Sequence, residues 1–135
     1  MIGFILSWVL AGVREFEGRI SRFQDRIRSL LEDASKARQR GREARELERL
    51  LEIRATGAWG YPMIAVADQR LAEIEQDRLA RLYGILASEG TESPRRTLER
   101  LDELLEVSRG LDVEAWIRRH GQLLRRRVTV ADRRG

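Results

Sequence analysis

The 135 residues are 36% charged and only 6% aromatic, with two prolines, no cysteine and a single histidine, His120. Such a composition fits long solvated helices; it excludes disulfides, thiolate metal sites and cysteine nucleophiles, and any triad or imidazole-ligated metal would have to be built on His120 alone. The formal charge of +4 is uneven, because residues 125–135 hold Arg125, Arg126, Arg127, Arg133 and Arg134 against Asp132, and the rest of the chain sums to zero.

The chain opens on a run without charge, Ile2 to Val13. Twelve helical residues reach about 18 Å, whereas a bilayer core of about 30 Å needs about 20 residues. The run is therefore too short to cross a membrane alone, and it lacks the basic flank and cleavage site expected of a secretory signal. Phe4, Ile5, Leu6, Trp8, Val9 and Leu10 together cover every side of a helix. A surface of that kind is covered by lipid or by protein. Insertion at a membrane, and burial in an oligomer or larger assembly, both satisfy it better than packing on its own domain does.

The next segment has a regular seam. Ile2, Leu6, Val9, Val13, Phe16, Ile20, Phe23, Ile27, Leu30, Ala34, Ala37, Gly41 and Ala44 alternate spacings of four and three, the 3.5-residue repeat of a coiled coil. Val13, Phe16, Ile20, Phe23, Ile27 and Leu30 are its large members and are expected to face another helix, from this chain or a neighbour. One helix is expected over residues 14–55, continuous with the apolar start. A bend or break is equally compatible with residues 35–42, where the sequence is polar and Gly41 is costly within a helix.

Residues 56–62 form a connector rich in Gly, ending in Pro62, which disfavours helix at Tyr61. Trp59, Tyr61 and Met63 are the candidate partner-binding residues there, although such a loop commonly caps its own hairpin. Residues 63–124 are expected to hold three helices. The first runs from about Met63 to Ser88 and stops at Gly90. Ser93-Pro94 starts the second with an N-cap and a proline at the first helical position, and Gly110 ends it. Asp112 is expected to cap the third, with Leu111 stapled onto Trp116. Val128-Thr129-Val130 reads as a short strand or a frayed end.

No grouping carries catalytic chemistry. Gly57-Ala58-Trp59-Gly60 lacks the Lys-Ser/Thr of a phosphate loop. Glu43/Glu46, Glu73/Asp77 and Asp102/Glu103/Glu106 lie at helical spacing among arginines and read as solvated ion-pairing faces, without the Glu-x-x-His pairs of a helical di-metal site. No metal, cofactor or small-molecule substrate is expected. Arg125, Arg126 and Arg127 are candidate anion contacts in a basic tail over residues 125–135.

The expected fold is all-α: a long N-terminal coiled-coil-like helix, a helical hairpin return and two shorter C-terminal helices. The expected role is a non-enzymatic structural or assembly protein, anchored by its apolar N-terminus to a membrane or larger complex and presenting helical contacts to protein partners, including copies of itself. A nucleic-acid-associated subunit using the Arg-rich tail, and a soluble helical adaptor or chaperone, are the alternatives. In layout alone the chain resembles short-anchored coiled-coil subunits of phage or envelope machinery.

Overall fold

The computed structural model describes the backbone of residues 2–57 and 62–134 and the side chains of residues 19, 22–57 and 62–133. The described residues form five α-helices and no strand: α1 (Ile2–Gln39), α2 (Glu43–Ala55), α3 (Pro62–Ala87), α4 (Pro94–Glu106) and α5 (Val113–Arg134).

The single helix expected up to Ala55 is two helices. Gly41 adopts φ +71°. The Gly41 N–H donates to the Arg38 carbonyl at 3.1 Å and the Arg42 N–H to the Ala37 carbonyl at 2.8 Å. These are the two bonds of a Schellman turn, which satisfies the free carbonyls of α1 and reverses the chain. Glu43 and Glu46 then occupy the first turn of α2, where negative charge complements the helix dipole. The heptad spacing runs through Gly41 in sequence, but the helix does not.

The hairpin so formed closes on its own apolar stripes. Ile27, Ala34 and Ala37 of α1 and Leu47, Leu50 and Ile53 of α2 are buried, with Phe23, Leu30 and Leu31 packed at the margin. The described half of the seam is thus filled from within the chain, by α2 and α3. The Asp33 carboxylate fastens the hairpin, accepting from Arg49 Nε at 2.7 Å and from Arg45 at 3.1 Å.

α3 touches all four other helices. Pro62 supplies its first position, where the missing N–H costs nothing. Ile64, Ala67, Leu71, Ile74, Arg78, Leu82 and Ile85 form one buried stripe along its length. Its end needs no left-handed glycine: the Ser88 hydroxyl donates to the Gly84 and Ile85 carbonyls, and Gly90 has no positive φ.

α4 and α5 form the second hairpin. Ser93 accepts from the Arg96 N–H at 3.3 Å, and Pro94 follows it, as the sequence indicates. Gly110, at φ +88°, turns the chain toward α5, and a Cβ there would lie 2.5 Å from Leu51 Cδ1. The start of α5 is held from outside: the Val113 N–H donates to Glu75 of α3 at 3.0 Å. The expected staple is not formed as such, since Leu111 is in the core while Trp116 is 62% exposed.

α5 continues to Arg134, so residues 128–130 are neither strand nor frayed end and residues 125–134 are not an appended tail. The Thr129 hydroxyl bonds the Arg125 carbonyl at 2.9 Å, one turn back. That contact lets a β-branched threonine sit inside the helix.

Candidate interaction surfaces

The side chains of Phe4, Ile5, Leu6, Trp8, Val9 and Leu10 lie outside the described residues, as do those of Val13, Phe16 and Ile20. Their backbone belongs to α1. Trp59 and Tyr61 are likewise outside the described residues. Met63 packs against the core, so its side chain contributes to the hairpin rather than to a free loop. Phe23 and Leu30 are half-buried and Ile27 fully buried. The structure brings none of the three groups together into one described site.

The polar side chains do gather, at the crossing of α2 and α3. Glu46 is only 4% exposed and receives Arg70 through both oxygens, at 2.8 and 3.1 Å. Glu43 accepts two bonds from Arg81. Arg78 is 3% exposed; its Nε donates to the Val107 carbonyl at 3.0 Å and its Nη1 donates to Asp77. The expectation of a solvated face is corrected at Glu46, which is buried; Glu73, Asp77, Asp102, Glu103 and Glu106 are exposed. Glu46 and Arg78 are interior, because α2 crosses α3 where the arginines of α3 can close over its first turn. The hydrogen bond from Arg81 holds the Glu43 carboxyl below its ordinary range, against the opposing effect of partial burial. At Asp33 partial burial raises the pKa, but the bonds and charges of Arg49 and Arg45 outweigh it and the net shift is downward. Glu114 is shifted down too, first by the Gly110 N–H and then by Arg118.

These pairs tie helices together. A cleft lined by Glu43, Arg81, Arg100 and Glu103 and one lined by Arg38, Glu46, Arg70 and Asp77 contain no hydroxyl or thiol nucleophile. Among the described residues no group of three His, Cys, Asp or Glu side chains is placed to hold a metal. His120 is half-buried beside Leu86, Leu101 and Leu123.

The named arginines of α5 are partly spoken for. Arg125 binds Asp102 at 2.7 Å and Arg127 binds Glu89 at 3.4 Å. Arg126 is exposed and has no ion-pair partner among the described residues. Around it lies a surface that the sequence reading missed. Trp116, Leu123 and Val130 are 62%, 43% and 47% exposed. They recur at seven-residue intervals, so they share one face of α5. The signal was legible in the heptad spacing of these three residues, but it is short and interleaved with arginines.

No described helix is long and apolar enough to cross a membrane. Comparison of the chain with protein-family models, with curated proteins and with solved structures gave no match.

Proposed function

We propose that this protein is a structural or assembly component that attaches through its N-terminal apolar segment to a membrane surface or a larger complex, and that it acts through contacts rather than catalysis. The observation that carries this reading is the continuity of α1. One helix runs from Ile2 to Gln39, joining the uncharged run of residues 2–13 to a half that is packed in the core from Ile27 onward. An apolar helix start of this kind needs cover, because each large side chain left in water forgoes about 1.5–3 kcal/mol. Joined to a packed body by an unbroken helix, it transmits position from the covering surface to the rest of the molecule. The absence of a spanning helix among the described residues fits entry into one leaflet or docking in an assembly.

The test compares the full chain with a deletion of residues 1–13 and with Leu6→Arg. Co-sedimentation with neutral phosphatidylcholine vesicles and pull-down of the native complex separate lipid from protein as the cover. Both variants are expected to stay helical by circular dichroism and to lose at least tenfold in whichever association the parent shows. Association unchanged in both variants refutes the anchor.

A further inference from the structure

We infer that the outer face of α5 is a second, electrostatic contact with the membrane: an in-plane helix surface for anionic lipid headgroups. This rests on the membrane form of the reading above and adds to it a site, a geometry and a lipid class.

Two rows of side chains run side by side along α5. Trp116, Leu123 and Val130 form the apolar row, all of them exposed. Arg119, Arg126 and Arg133 form the other, each three residues further on and each exposed. α5 holds seven arginines against Glu114 and Asp132. Arg118, Arg125 and Arg127 are engaged by Glu114, Asp102 and Glu89. The row of Arg119, Arg126 and Arg133 has no ion-pair partner among the described residues. The fold thus pairs Arg118, Arg125 and Arg127 and leaves the row of Arg119, Arg126 and Arg133 to solvent.

The position of α5 in the fold gives the face an edge. The Val113–Glu75 and Arg127–Glu89 contacts have the same sequence offset, 38 residues, so α5 runs parallel to α3 in a fixed register. Trp116, whose indole carries a polar N–H, stands at the N-terminal end of the apolar row. Aromatic side chains with a polar tip, aliphatic side chains at mid-face and arginines beside them are the composition of a helix lying at a headgroup boundary. From Trp116 to Val130 the face is about 21 Å long.

Charge complementarity selects the occupant. A second copy of α5 would bring Arg119, Arg126 and Arg133 against their own like charges, which opposes self-pairing. A nucleic acid would satisfy the arginines through its phosphates but leave the row of Trp116, Leu123 and Val130 in water. An anionic bilayer meets both rows at once: phosphate on the arginines, acyl boundary on the apolar row.

The experiment uses the full chain with two vesicle compositions, phosphatidylcholine alone and phosphatidylcholine with phosphatidylglycerol. The parent is expected to bind the anionic vesicles more tightly, with the increment lost at high salt. The combined change Arg119→Gln, Arg126→Gln and Arg133→Gln should remove that increment by about a hundredfold, taking about fivefold per arginine at an anionic surface, while binding to neutral vesicles is kept. Leu6→Arg should do the reverse, lowering neutral binding and leaving the salt-sensitive increment, so failure of the N-terminal anchor and failure of the α5 face give different patterns. The chain has no cysteine, so Leu123→Cys carries a single environment-sensitive fluorophore. Its emission should shift to the blue on anionic vesicles, and that of Gln69→Cys on α3 should not. An increment retained in the triple variant overturns the proposal. So does a fluorophore at position 123 that stays in water, or duplex DNA binding that needs the three arginines without any shift at that position.

Discussion

At the scale of single residues, backbone conformation decides what a glycine is worth. Gly84 lies within α3 and Gly110 in the turn before α5, at φ +88°. A Cβ at Gly84 meets nothing within 4 Å, whereas one at Gly110 meets Leu51 Cδ1 at 2.5 Å. Gly84→Ala should therefore stabilise the protein by about 1 kcal/mol through helix propensity. Gly110→Ala should destabilise it by about 2 kcal/mol, because a left-handed alanine is strained and Leu51 has to move. Urea unfolding of both variants checks the pair, and equal effects would show that the turn is not held as described. A glycine in the sequence carries no sign of φ. Gly41 ends α1 through that sign and Gly110 turns the chain into α5 by it, three residues past the Val107 C-cap of α4, while Gly90, which looks alike on paper, does not, and the Ser88 hydroxyl serves there instead. What was legible was chemistry with a local partner: Ser93 and Pro94 start α4 because their contacts lie within one turn.

At the scale of elements, periodicity identified which side chains face inward but not which helix they face. Phe23, Ile27 and Leu30 fall on a heptad seam, and the seam meets α2 and α3 of the same chain. The pattern could not reveal this, because Ala34, Ala37, Gly41 and Ala44 keep the spacing across a turn that reverses direction. The same limitation hid the extent of α5, where β-branched residues 128–130 suggest strand yet stay helical. Burial nevertheless gives the seam a sharp consequence. Ile27 is 0% exposed, so Ile27→Asp would put a carboxylate among aliphatic side chains without a partner. A loss of more than about 3 kcal/mol is expected, from the lost apolar burial together with the buried charge. Thermal unfolding followed by circular dichroism measures it. A variant melting within a few degrees of the parent would mean that α1 is not held in this core.

At the scale of the whole molecule, the arrangement of charge is the least legible feature. Composition gives 22 acidic and 26 basic side chains, and periodicity assigns them to the outside. Glu46–Arg70 and Glu43–Arg81 join residues 24 and 38 positions apart, and only the crossing of α2 over α3 brings them together. The exposed row on α5 was missed for the converse reason: its apolar residues were too few to stand out among arginines. The cross-helix pairs of Glu43 and Asp33, and the local contacts of Glu114 with the Gly110 N–H and Arg118, make stability depend on pH, and the sign follows from their titration. Glu43, Asp33 and Glu114 all have pKa values lowered by folding. The folded protein thus binds fewer protons than the unfolded chain as pH falls through the ordinary carboxylate range, near 4. Their contribution is fully present above that range and is lost as pH drops through the lowered folded values, while the arginines stay charged throughout. Melting temperature should hold steady from pH 7 to about 5 and then fall. Glu43→Gln isolates one part of this. The variant should melt below the parent at neutral pH and decline less steeply in acid, and the two curves should converge as the pH falls through the lowered folded value of Glu43. Parallel curves across the whole range would show that the bonds from Arg81 to Glu43 do not contribute to the stability of the fold.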